Sequence, residues 1–238
     1  MPYYYFDWTY LVLVLPCILI SMWASSNVNS TFQRYSKQFS MRRITGAQAA
    51  QRVLSAHGVS NVKIERVNGN LTDHYDPKAN VIRLSDSVYD ATSTAAIGVA
   101  CHEAGHAVQY AQNYGPIKLR AAIIPATNIG SKLAMPLILL GLLFSFAGNF
   151  SYTLVYLGIA CFSLSLVFQL VTLPVEFNAS NRALRAIQDG NILTDEELKG
   201  AKKTLSAAAM TYVAATAVAL AQLLRLIVLF GGRSRRRD

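Results

Sequence analysis

Ala100-Cys101-His102-Glu103-Ala104-Gly105-His106-Ala107-Val108-Gln109 holds the pattern His-Glu-x-x-His between positions 102 and 106. On a helix, residues four apart stand one turn above each other on one face, so His102 and His106 can grip one zinc ion. Glu103 sits beside that pair, where a carboxylate can take a proton from zinc-bound water. The chain has 4 histidines in 238 residues, and chance places such a pentad in roughly one chain per thousand of this composition. The plainer alternative is a helix whose two histidines pair with other groups.

Outward from the pentad the chain is unusually apolar. Hydrophobic residues make up 53%, charged residues 15%, and the mean hydropathy is +0.29, values that point away from a wholly soluble protein. Trp8 to Ala24 runs 17 residues without a charge and reads as a first transmembrane helix, with Trp8, Tyr10 and Trp23 as interface aromatics. A cleaved signal peptide competes for this segment, but Met1 to Asp7 carries an Asp and neither Lys nor Arg, the wrong charge for a signal's leading region. Two further apolar blocks, Pro125–Ala147 and Tyr152–Leu173, are parted by Gly148-Asn149-Phe150-Ser151, the pattern of a helical hairpin that crosses the membrane and returns. A fourth, Ala207–Phe230, carries Arg225, which at that depth must snorkel or meet a polar partner.

Between these blocks lie two polar parts. In the first, Thr45–His57 has helical composition with Thr45 as N-cap and Gly58 as stop, Val62–Val67 and Val81–Leu84 read as strands, and the pentad helix is expected over Thr92–Gln112. In the second, helices are expected over Arg182–Gln188 and Asp195–Lys203, and the segment is too small to fold alone. The resulting division is 1–24 N-terminal transmembrane helix, 25–120 first part of a peptidase domain, 121–173 transmembrane hairpin, 174–206 second part, and 207–238 C-terminal transmembrane helix and basic tail.

Cys17, Cys101 and Cys161 suggest packing rather than a disulfide framework. The net charge of +9 is dispersed and accompanied by no nucleic-acid-binding motif, so nucleic acid is excluded as a partner. Arg233-Ser234-Arg235-Arg236-Arg237 reads as a headgroup contact.

A catalytic zinc usually takes three protein ligands and a water. Glu176, in Pro174-Val175-Glu176-Phe177-Asn178-Ala179-Ser180, is the best third ligand, because a carboxylate beside apolar residues is costly without a cation; an ordinary interfacial glutamate is the alternative. These residues, with Leu71-Thr72-Asp73-His74-Tyr75-Asp76-Pro77 and Leu84-Ser85, resemble the YugP-like membrane zinc metallopeptidases, more distantly the HtpX-type and CAAX prenyl proteases. The resemblance covers most of the chain. It implies a mainly α, multi-pass membrane protein with a zincin-like domain, an active-site helix plus a small β-sheet, interrupted by a transmembrane hairpin. It implies one Zn2+ and a third ligand at Glu176. In the wider HtpX-type pattern an Asp stands four residues after that Glu and supports a ligand histidine; here the position is Ser180, with Asn178 nearby, so the support is a hydroxyl or an amide without a charge.

Three other residues are candidates for substrate or transition-state contacts: His74, which is equally explained as a turn residue bonded to Asp73 and Asp76, and Tyr212 and Arg225 in the fourth apolar block. His57, before Gly58, reads as a helix C-cap.

The function expected is an endopeptidase that cleaves membrane-associated polypeptides, with zinc polarising the scissile carbonyl and Glu103 as general base. Val81–Leu84 is the strand expected to pair with substrate, and Gly105 is expected to let that backbone approach. A zinc-binding scaffold without hydrolysis, or a small metal transporter, is the competing class. The two polar parts carry 16 Lys plus Arg, which favours a bacterial cell membrane protein with a cytosolic active site.

Overall fold

The computed structural model describes residues 7–144, 146 and 148–231. It is mainly helical, with six α-helices, α1 (Leu15–Tyr35), α2 (Gly46–Ala56), α3 (Thr94–Ala111), α4 (Gly115–Leu143), α5 (Asn149–Asp189) and α6 (Asp195–Gly231). A π-helical stretch, Tyr10–Val14, precedes α1, and three strands, β1 (Lys63–Val67), β2 (His74–Asp76) and β3 (Val81–Ser85), lie between α2 and α3. Among the described residues, four helical spans are long and apolar enough to cross a membrane: Tyr10–Tyr35, Gly115–Leu143, Asn149–Asp189 and Asp195–Gly231.

The chain forms two compact units. One comprises Met1–Trp23, Leu119–Thr172 and Tyr212–Asp238; the other comprises Ala24–Lys118 and Leu173–Thr211.

The first unit is held by close helix packing. A Cβ on Gly158 of α5 would lie 2.8 Å from the Ala134 carbonyl oxygen of α4, so the missing side chain lets the two backbones approach, as small residues do between membrane helices. Ser151 Oγ donates to the Gly141 carbonyl at 2.6 Å, which ties the two arms together near their turn. At the chain ends of this unit, Arg225 Nε donates to Asp7 Oδ2 at 2.8 Å, and the guanidinium lies 5.4 Å from the centre of the Tyr10 ring. Tyr156, near the start of α5, reaches the Phe230 carbonyl at 3.4 Å. The basic tail, Arg233 to Arg237, lies outside the described residues.

The second unit has its own core. Thr45 and Gln48 form a reciprocal capping box at the start of α2, which satisfies two backbone N–H groups that the first helical turn leaves without partners, and Val53 and Leu54 are buried on the inner face. Ser93 caps α3 through the Ala96 N–H at 3.3 Å. Glu197 accepts from Thr194 N at 2.9 Å and from Met41 N at 2.7 Å, so one buried carboxylate both caps α6 and anchors the segment after α1. Ile82, Leu84, Ile97, Ile187 and Ile192 fill the interior.

Several boundaries differ from the sequence expectation. Pro174 lies inside α5 rather than at a break, so the helix expected over Arg182–Gln188 is the continuation of the preceding apolar block. An interior proline costs an isolated helix about 3 kcal/mol; here Thr172 and Val175 on either side are buried, and tertiary packing overrides local propensity. Asp195–Lys203 and the fourth apolar block are likewise one helix, α6. The turn-rich stretch after Gly69 contains β2, which composition alone does not show. The sheet order is β1-β3-β2, with β3 parallel to β1 and antiparallel to β2. Val81–Leu84 is therefore the central strand, with a neighbour on both sides, and cannot take a substrate strand. The expectation failed because edge position depends on β2, three residues long and rich in polar groups.

Candidate metal centre

His102 and His106 project from consecutive turns of α3, and Glu176 comes from α5. The approach of the two helices is set at Gly105, where a Cβ would stand 2.7 Å from the Ala179 carbonyl oxygen. The glycine in the pentad thus admits the backbone of α5, not that of a substrate as its position in the sequence suggested. Ala179 lies between Glu176 and Ser180, so this one contact brings both residues of α5 to the histidines.

Glu176 Oε2 lies 3.3 Å from His102 Nε2 and 3.5 Å from His106 Nε2. The three groups' ligand atoms fall within 4.8 Å of one another. The imidazoles meet edge-on, with centroids 4.7 Å apart and an interplanar angle of 84°, so their Nε2 atoms converge while the rings do not stack. Atoms bound about 2.0–2.1 Å from a tetrahedral zinc are about 3.3–3.4 Å apart, and both measured separations are of that size. Glu176 is only 2% exposed. Two imidazoles and a carboxylate gathered out of water match the donor set of a zinc site with one open position, so the residues present fit the metal.

Glu103 is buried next to His102 on α3. Burial disfavours the His106 imidazolium, yet the Glu176 carboxylate and the charge of Glu103 outweigh it and hold His106 above the ordinary histidine value. Burial pushes the Asp73 carboxyl above the usual carboxylate range, against the hydrogen bonds it accepts from Ser85, and the charge of Glu103 adds to the rise. Those bonds, from Ser85 N at 2.7 Å and Ser85 Oγ at 2.9 Å, join two of the segments that carry the family resemblance, Leu71–Pro77 and Leu84-Ser85. Cys101, also on α3, is wholly buried, and burial pushes its thiol far up, consistent with packing.

The outer nitrogens of both histidines have partners. Ser180 Oγ lies 3.1 Å from His102 Nδ1, and Gln109 Oε1 lies 3.0 Å from His106 Nδ1. Gln109 Nε2 donates to the Val175 carbonyl and to Asn178 Oδ1, both at 2.9 Å. Asn178 thus touches the ligand shell through Gln109 rather than directly. Sequence reasoning missed the role of Gln109, although its position three residues after His106 on the same helix face signalled it. A cavity of about 560 Å³ lined by His57, Asn178, Asn181, Arg182, Arg185 and Asp189 includes none of the three ligand candidates in its wall.

Among the described residues, the remaining candidates are not part of the three-residue group. His74 is exposed on β2, where Nδ1 bonds the Thr72 carbonyl at 2.9 Å and Nε2 is 3.5 Å from Arg83 Nη1; its partners are not the neighbouring aspartates, and among the described residues it does not join the metal group. Tyr212 and Arg225 belong to the first unit, where Arg225 pairs with Asp7. His57 caps α2 through the Val53 carbonyl at 2.9 Å.

No solved structure matches the chain. A curated relative from Bacillus subtilis (strain 168), named "Putative membrane protease YugP", is 45% identical over 221 residues, 93% of this chain and 96% of the relative. The family described as "Putative neutral zinc metallopeptidase" matches residues 10–231, and the chain belongs to that family.

Proposed function

We propose that the protein is a membrane-embedded endopeptidase that holds one zinc ion on His102, His106 and Glu176 and hydrolyses peptide bonds of membrane or membrane-proximal polypeptides. The observation that carries this reading is the convergence of His102 Nε2, His106 Nε2 and Glu176 Oε2 with a buried carboxylate, Glu103, beside them. When bound, the metal supplies a Lewis acid for the scissile carbonyl and lowers the pKa of a water. Glu103 accepts the proton from the attacking water and returns it to the leaving amine. Ser180 and Gln109 keep the imidazoles aimed inward. β2 is a sheet edge, and its Tyr75 packs 5.6 Å from Tyr110 of α3, so it offers an extended substrate a strand to pair with near the metal helix.

The zincin-like domain is read as split, 25–120 and 174–206, around the hairpin 121–173. The Lys and Arg of these parts favour a cytosolic active site in a bacterial cell membrane. Zinc content and cleavage of casein or a membrane protein, measured for wild type and Glu103→Gln, test the reading. It requires zinc retained in both and cleavage lost in the variant; equal activity in both defeats it.

A further inference from the structure

Resting on the reading of His102, His106 and Glu176 as metal ligands, we infer that Gln109 is a positioning residue that fixes the tautomer of His106, and that Arg182 backs it through Asn178. The inference follows from the polarity of one hydrogen-bond chain. A guanidinium only donates. Arg182 Nε donates to Asn178 Oδ1 at 2.7 Å, so that atom must be the amide oxygen, since the amide nitrogen there would face an N–H. The same oxygen takes a hydrogen bond from Gln109 at 2.9 Å.

The other acceptor facing the Gln109 amide is the Val175 carbonyl, also at 2.9 Å, and a carbonyl cannot donate. Two acceptors therefore claim both protons of Gln109 Nε2, and its Oε1 is left pointing at His106 Nδ1. Gln109 is completely buried, and turning the amide over would set its oxygen against two other oxygens, those of Val175 and Asn178. An oxygen at 3.0 Å from Nδ1 calls for an Nδ1–H. A neutral imidazole with its proton there carries its lone pair on Nε2, the atom that faces Glu176.

Arg182 is itself held. Nη1 donates to Gln112 Oε1, and the guanidinium carbon lies 5.8 Å from the centre of the Tyr114 ring. The sense of each bond in the set is thus fixed: Arg182 and Gln109 both donate to Asn178 Oδ1, and Gln109 Oε1 is left to accept from His106 Nδ1. His102 differs. Its partner at Nδ1, the Ser180 hydroxyl, can donate or accept, so that contact leaves the tautomer of His102 open. The site combines one histidine set in the ligand tautomer with one that adapts.

The test uses the full chain in detergent, metal-free, at a pH above the imidazole titrations, with ring-nitrogen chemical shifts read by long-range 1H–15N NMR. In wild type His106 is expected as the Nδ1–H tautomer, a measurement that requires no variant to fold. Gln109→Met is expected to release His106 toward the Nε2–H form, and Arg182→Met to give a partial release, with the shifts of His102 unchanged in both. Zinc affinity by chelator competition is expected to fall about 10–100-fold in Gln109→Met, the usual cost of losing a partner behind a ligand, and less in Arg182→Met. The inference is overturned if wild-type His106 is the Nε2–H tautomer, or if Gln109→Met leaves both tautomer and affinity unchanged. His106→Ala separates this from the reading beneath it: full zinc affinity in that variant sinks the ligand assignment whatever the tautomer.

Discussion

Replacing Gly105 by Ala adds one methyl group inside the metal-binding pentad and touches neither a ligand nor Glu103. The new Cβ would meet the Ala179 carbonyl oxygen at 2.7 Å, whereas carbon and oxygen in comfortable contact stand about 3.3 Å or more apart. Helices α3 and α5 must then separate locally by about 0.6 Å. Ala179 is flanked by Glu176 and Ser180, so the shift carries the third ligand and the partner of His102 with it. Metal–ligand distances tolerate about 0.2 Å, one third of that displacement. Zinc affinity is therefore expected to fall by about tenfold or more. Overpacking costs about 1–3 kcal/mol, while the gain in helix propensity on replacing Gly returns about 1 kcal/mol, so a lower melting temperature of the metal-free protein is expected. Zinc competition with a chromophoric chelator and thermal unfolding in detergent measure the two effects. Zinc binding within twofold of wild type, with unchanged or raised thermal stability, would show that the contact at Ala179 does not set the geometry of the centre.

Ser180→Ala removes the partner of His102 Nδ1 and is expected to weaken zinc binding by about 10–100-fold, as read by the same competition. Asp73 has its folded pKa raised, so the fold gains stability as pH falls through that pKa toward the unfolded carboxylate value and loses it as pH rises; Asp73→Asn should flatten the melting temperature over that acidic window, and an unaltered pH profile would count against it. Asp7→Asn and Arg225→Gln each leave one charge of a paired set unmatched, so each should lower the melting temperature, with the double variant less affected than the sum; strict additivity would contradict the pairing.

The metal helix was legible because two histidines and a glutamate at that spacing need nothing beyond helical geometry, and Thr94–Ala111 falls within the expected Thr92–Gln112. The apolar blocks were legible for a similar reason, since composition over about twenty residues decides membrane compatibility. What composition could not show was continuity: Pro174 reads as a stop, but burial on both sides carries α5 through it. Long-range pairing was equally hidden. That Val81–Leu84 is the central strand depends on β2, and that Gly105 admits α5 depends on Ala179, 74 positions later. Glu176 was singled out by the cost of an isolated carboxylate, whereas the contacts of Gln109 required knowing that Val175 and Asn178 meet its amide.

Zinc stoichiometry and affinity for wild type, His106→Ala and Glu176→Ala test the proposed centre most directly. One zinc per chain is expected for wild type, with tight binding lost in both variants while the helical content of each is retained. Glu176→Ala binding zinc as tightly as wild type would contradict the three-ligand site that joins α3 to α5.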